Sequence, residues 1–287
     1  MGFAQCRETA VRVFRKVQRI AQLRIALGAH GPWEAQQDKL GKGCPVLLYH
    51  HVGPFRSGTY RTLTVSPRQF ERQIRWLARH GYAGIRPSQW QRWLKAGAGL
   101  PAKPVMITFD DAYADIAEFA LPVLERHGFG GCVFVVSASV GGTNRWDEAE
   151  GIGNLRLLNA DQIRYWADSG IEFGAHSRTH ADLTRLSPQE LTDEVVGSKS
   201  DLQDILGSPV ASFAYPNGAH NDAVREIVRA NFGLAFSTIE GVNFFNGDHH
   251  LLRRVYVGPN DPLIEFASII RWGGRNAIRA LLVTKES

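Results

Sequence analysis

The sequence predicts an α/β protein built on a parallel sheet, and three observations carry that expectation. Short apolar runs bounded by turn residues alternate with longer segments at helical spacing, the pattern of successive βαβ units. The apolar runs are continuous, as strands buried on both faces must be. About seven such units follow one another, enough to close into a barrel, with an open doubly wound sheet as the alternative. No Gly-x-Gly-x-x-Gly follows the first strand, which counts against a dinucleotide fold.

The elements can be taken in chain order. Ala10, Val13, Phe14, Val17, Ile20 and Ala21 fall on one face of a predicted N-terminal helix, and Arg12, Arg15, Lys16 and Arg19 fall on the other. Such an amphipathic helix either lies on an anionic membrane surface through residues 7–27 or packs its apolar face on the protein's own core. Gly28, Gly31, Pro32, Gly41 and Gly43 then mark a linker. Residues 1–43 therefore read as an appendage and residues 44–287 as the folded domain. Strands are expected at 46–49, 105–109, 132–136, 171–174, 211–214, 234–237 and 252–257. Helices are expected at 67–80, 88–95, 115–127, 161–168, 187–206, 220–230 and 262–272. The helix start at Ser187 is the best marked: Ser187 is the N-cap, Pro188 takes the first helical position, and Glu190 completes a capping box.

Composition narrows the function. Of 287 residues, 44% are hydrophobic and 21% charged, which fits a globular domain with a sizeable core. No run approaches the ~20 apolar residues that cross a bilayer. The arginine-rich start lacks a signal-peptide pattern, so the expected location is the cytoplasm or the inner face of the membrane. Cys6, Cys44 and Cys132 form neither a metal-type pair nor a disulfide framework, in keeping with a reducing compartment. The net charge of +5 resides entirely in residues 1–30, and the rest of the chain balances. A nucleic-acid-binding domain would carry its basic surface within the fold, so no nucleic-acid partner is expected.

Three polar clusters stand at the carboxyl ends of predicted strands, where parallel α/β proteins build their sites. Asp110 and Asp111 follow the strand at 105–109. Two adjacent carboxylates resist double ionisation unless a cation lies between them; the plainer reading is a cap for the next helix. His176 and His180 are four residues apart after the strand at 171–174, a spacing that lets two neutral imidazoles meet one metal ion, though surface histidines share it. Tyr215-Pro216-Asn217-Gly218 is a tight turn after the strand at 211–214. It either aims a backbone N–H inward as an oxyanion donor or simply opens the next helix. Two histidines, one carboxylate and an open position make a hydrolytic metal set, with Asp110 left over as a general base. Trp146 and Tyr113, near strand ends, are candidates to stack on a sugar ring or to pack in the core.

With these residues the chain resembles the polysaccharide deacetylase family, also called carbohydrate esterase family four or the NodB-homology domain. The resemblance spans roughly residues 45–257. It is carried by Thr-Phe-Asp-Asp at 108–111 and His-Ser-x-x-His at 176–180. Pro45-Val-Leu-Leu-Tyr-His-His-Val52 and Phe213-Ala-Tyr-Pro-Asn-Gly218 are similar to segments of the branch that contains poly-N-acetylglucosamine deacetylases. The resemblance implies a distorted (β/α)7-type barrel. It implies Asp110 as the base, and Asp111, His176 and His180 as ligands of one divalent ion, zinc foremost, with cobalt, nickel or iron accepted by the same donors. It places the oxyanion donor at the backbone near Asn217, with Tyr215 beside it. The implied activity is removal of N-acetyl groups from an N-acetylhexosamine polysaccharide or precursor, so the expected partner is an N-acetylated glycan. A catalytically silent glycan-binding homologue is the alternative.

Two departures accompany the resemblance. Ala214 stands where the family carries an arginine that orients the base. The family's late Leu-x-His, whose histidine is the general acid, is absent, but Leu48-Tyr49-His50 has the same form at the opposite end of the domain. First and last strands of a closed barrel are neighbours, so His50 is the expected acid, ahead of His51 and of the late pair His249 and His250.

Overall fold

The computed structural model describes residues 43–54, 60–97, 99–150, 154–259 and 261–274. The predicted N-terminal helix, the 7–27 membrane contact and nearly all of the linker lie outside the described residues.

Every residue of β1 (Cys44–Tyr49) is buried, which is why its sequence is apolar throughout. After the short pair β2 (His51–Val52) and β3 (Thr64–Val65) come β4 (Tyr82–Ile85), β5 (Lys103–Phe109), β6 (Cys132–Val135), β7 (Glu172–Ala175), β8 (Ser212–Ala214), β9 (Leu234–Phe236), β10 (Val242–Asn243) and β11 (Val255–Tyr256). Strands β1, β5, β6, β7, β8 and β9 pair in that order, all parallel. β11 runs parallel to the free side of β1, and Leu252 bridges Phe236 of β9 in parallel. Residues 252–256 therefore join the two ends of the sheet, and the strands form the expected distorted barrel. β10 adds an antiparallel edge to β1.

The helices are α1 (Tyr60–Leu63), α2 (Pro67–Arg79), α3 (Pro87–Ala96), α4 (Asp115–Phe119), α5 (Leu121–Arg126), α6 (Ala160–Asp168), α7 (Pro188–Thr192), α8 (Ser198–Leu206), α9 (Asp222–Asn231) and α10 (Leu263–Trp272). Three expectations needed correction. The helix predicted over 115–127 is two, because Pro122 cannot continue the hydrogen-bond ladder. The helix predicted over 187–206 starts with the expected Ser187–Glu190 capping box but widens into a π-turn at Asp193–Gly197. β4 has no counterpart in the prediction, since Ala83 and Gly84 mask its pattern. Gly84 is required there, because a Cβ would lie 2.7 Å from the Phe129 ring.

Strand alternation sorts the core into two layers. Leu47, Tyr49, Ile107, Phe109, Val133, Phe213 and Val255 pack outward with helix residues such as Phe70 and Phe266. Val46, Met106, Cys132, Phe134, Ala214 and Phe236 cluster separately, facing the barrel interior. Even-numbered positions on β1, β5, β6, β8 and β9 thus point inward. Continued past the strand ends, this parity gives the site its residues.

Candidate active site

Asp110 continues the inward row of β5. Its N–H donates to the Tyr49 carbonyl at 3.0 Å, which holds it against β1. The backbone then turns sharply, with positive φ at Asp111 (71°) and Ala112 (58°). Of the six described non-glycine residues with positive φ, four lie in the three predicted motifs (Asp111, Ser177, His180 and Asn217), and a fifth, Ala112, directly follows the first. Strained backbone of this kind persists where surrounding structure over-determines it, characteristically at functional sites.

The turns bring Asp111, His176 and His180 together, with one ligand atom from each within 4.8 Å of the others. The His176 and His180 Nε2 atoms lie 3.6 and 3.5 Å from Asp111 Oδ1. His176 Nδ1 donates to the Ala214 carbonyl at 2.8 Å, which fixes the tautomer and leaves Nε2 as a lone pair facing the site. Burial pushes the His176 imidazole down to about 3 and lowers His180, so both are neutral near pH 7. Burial, with the Asp110 charge adding and His50 opposing, pushes Asp111 up to about 6. Asp111 Oδ1 is buried without a hydrogen-bond partner. The His176 Nε2 lone pair and Asp111 Oδ1 thus converge as acceptors, costly to bury unless a cation binds them. The donor set therefore fits a divalent metal ion.

Asp110 stands beside this set, its Oδ2 4.0 Å from His176 Nε2. The Arg254 guanidinium grips it from both nitrogens, at 2.6 Å to Oδ1 and 2.8 Å to Oδ2. Burial alone would raise the Asp110 carboxyl; Arg254 and His176 outweigh it and hold it down to about 2. Arg254 is itself buried, donates from Nε to the Ser237 carbonyl at 2.8 Å, and lies over the Phe134 ring. No local motif marks Arg254 in the sequence. The position at 214 is indeed alanine, but barrel closure supplies an arginine from residues 252–256.

Parity also separates the two N-terminal histidines. His50 continues the inward row of β1, and its ring is close enough to Asp110, Asp111 and Arg254 for their charges to act on it; burial is the largest influence and lowers it. His51 faces the helices: its Nδ1 donates to Asp115 Oδ2 at 2.8 Å, and its ring stacks on Tyr113 at 3.7 Å. His249 and His250 bond the carbonyls of Phe245 and Phe232 and take no part in the cluster. Tyr215 is at an outward position. Its N–H donates to Phe236 and its hydroxyl to the His250 carbonyl, so both donors are engaged within the fold. Asn217 is exposed at the turn, with φ 55°. Tyr113 is buried in the core, and Trp146 stacks on His180 at 5.0 Å.

Acidic side chains from the segment 193–201 hold the loop between the histidines. Buried Glu194 accepts from the N–H groups of Arg178 and Thr179, both at 2.9 Å, and from Thr179 Oγ1 at 2.7 Å. The Arg178 side chain is clamped by Asp193 and Asp201. These acids sit in or just beyond the π-turn, which brings Gly197 so close to Arg178 that a Cβ would meet its Cδ at 2.7 Å. The π-turn is thus the mount for the histidine loop.

A family model described as polysaccharide deacetylase matches residues 97–235, which include all three motifs, at 108–111, 176–180 and 213–218. Over these residues, just under half of its length, the chain is similar to the polysaccharide deacetylase family. A poly-beta-1,6-N-acetyl-D-glucosamine N-deacetylase of Staphylococcus aureus is 25% identical over 224 residues, covering 75% of this chain and 73% of that protein. The Streptococcus pyogenes deacetylase PplD, solved in complex with acetate, superposes with a TM-score of 0.67 at 26% identity, over 78% of this chain and 96% of that one. IcaB from Ammonifex degensii gives a TM-score of 0.69 at 26% identity, over 81% and 98% of the two chains. The distorted barrel is that of these deacetylases. Among the described residues, no helix is long and apolar enough to cross a membrane.

Proposed function

We propose that this protein is a metal-dependent hydrolase that removes acetyl groups from N-acetylhexosamine units of a polysaccharide, with a β-1,6-linked N-acetylglucosamine polymer as the leading substrate. The observation that carries the reading is the convergence of Asp111, His176 and His180 beside an Asp110 held by Arg254. The substrate class is drawn from the name of the Staphylococcus aureus relative.

Asp111, His176 and His180 would hold the ion. A bound divalent ion would polarise the acetamide carbonyl and acidify water. Asp110 is ionised and accepts the proton of the attacking water as its oxygen bonds to the carbonyl carbon. Arg254 fixes the direction of the Asp110 carboxylate. The backbone N–H of Asn217 is the proposed donor to the developing oxyanion, in place of Tyr215. As the C–N bond breaks, the leaving nitrogen is protonated through His50, which takes up in turn the proton held by Asp110, and the products are acetate and a free amino sugar.

The test is acetate release from N-acetylglucosamine oligomers before and after chelation. Release should stop with chelator and return with zinc or cobalt. Asp110→Asn should lower turnover by at least ~10²-fold, within the contribution of a positioned base, while metal content stays at one ion per chain. Undiminished turnover in either experiment would refute the reading.

A further inference from the structure

Near the Asp111–His176–His180 set lies a second feature that the proposed reaction does not use. A cleft of about 760 Å³ opens between α4 and α6, within the ~300–1,000 Å³ typical of small-molecule pockets. It adjoins the site through the backbone. The wall around residues 154–158 is hydrogen-bonded to the segment that directly follows Asp111, with Leu158 N–H donating to the Ala112 carbonyl and Ala114 N–H to the Arg156 carbonyl. His51, next to the proposed acid, also lines it.

The lining has the chemistry of a sugar site. Tyr165, 62% exposed, is the most exposed large hydrophobic side chain among the described residues, although it rests edge-on against buried Trp166. A rigid aromatic left uncovered beside a polar cleft offers its face to the apolar C–H face of a pyranose. The amides of Asn159 and Gln162 are oriented by the capping box of α6: each uses its oxygen as an acceptor, from Gln162 N–H and Asn159 N–H. Their NH2 groups donate to no other described residue. Glu118 and Arg156 make no side-chain hydrogen bond or ion pair with any described residue, though both line the cleft. Planar donors and acceptors with spare capacity, opposite in charge and balanced, suit the neighbouring hydroxyls of a neutral or weakly cationic saccharide better than an anion or an apolar ligand.

We propose that this cleft is a saccharide subsite that holds polymer units flanking the one being deacetylated, with Tyr165 as its stacking platform. The proposal rests on the deacetylase reading for its role in turnover, but binding can be tested without it. Full-length wild type and Tyr165→Ala are compared on β-1,6-linked N-acetylglucosamine disaccharide and pentasaccharide. The ratio of kcat/KM for the longer over the shorter substrate should fall about tenfold, the scale of one lost aromatic contact; an unchanged ratio overturns the proposal. In parallel, the pentasaccharide is titrated calorimetrically into full-length Asp110→Asn, alone and combined with Tyr165→Ala or Arg156→Ala. Each addition should raise Kd about tenfold, and an unaltered Kd for both overturns the proposal. If wild type releases acetate from neither oligomer, the deacetylase reading falls and the titration alone decides the cleft.

Discussion

At the scale of single residues, the pair Arg254–Asp110 organises the site. Both side chains are almost fully buried, and the bidentate geometry satisfies each. Removing one partner of such a pair leaves an uncompensated charge, which costs about 3–5 kcal/mol. Arg254→Met should therefore destabilise the fold by that amount in urea titrations. The double variant with Asp110→Asn should lose less than the sum of the two, since both charges are gone. Arg254→Lys keeps the charge but cannot form the fork, so it should recover only part of the stability. Gly174 is a second tight spot, in the strand that leads to His176: a Cβ there would lie 2.6 Å from both Phe134 and the Ser212 hydroxyl. Gly174→Ala should cost about 1–3 kcal/mol by overpacking, read as a lowered midpoint in the same titration.

At the scale of elements, the ligand loop depends on a helix distortion some fifteen residues downstream. The His180 N–H is held by Ser177 Oγ at 3.0 Å, but Arg178 and Thr179, between the histidines, donate their backbone N–H groups to Glu194. Outer-sphere supports of metal ligands are worth roughly 10–100-fold in affinity. Glu194→Ala should weaken zinc binding by that factor in a competition titration with a chromophoric chelator. Glu194→Gln, which retains one acceptor oxygen, should fall between the two. Equal zinc affinity in Glu194→Ala and wild type would show that the loop holds its shape without the Glu194 carboxylate.

At the scale of the whole molecule, stability should respond to metal and to pH. A ligand that binds only the native barrel at 100 times its Kd adds about 2.7 kcal/mol, so zinc should raise Tm in wild type and not in His176→Ala. Glu172, on β7 at the base of the barrel, accepts from Ser88 N–H at 3.0 Å, yet burial raises its carboxyl above the ordinary value of 4.5. The native state then holds this proton more tightly than the unfolded chain does. The Glu172 contribution is most favourable below 4.5 and is lost as pH rises through the raised native value. Glu172→Gln should accordingly raise Tm at pH 7 and leave it nearly unchanged at pH 4, as scanning calorimetry would report.

Much of this protein was legible in its sequence. The strand series, the Ser187 cap and the Asp110–Asp111, His176–His180 and Tyr215–Gly218 motifs are local signals, set by burial, turn chemistry and residue spacing over a few positions. Once β1 is known to be buried on both faces, strand parity alone puts His50 on the interior side and His51 toward the helices. What the sequence could not specify are partnerships made by closure. Arg254 lies 144 positions from Asp110, and Glu194 reaches the histidine loop only because a π-turn rotates it inward. Tyr215 reads as a site residue from its motif, but the outward phase of β8 turns its hydroxyl to His250. A barrel joins first strand to last, so its interior contacts obey the closed geometry and carry no trace in local spacing.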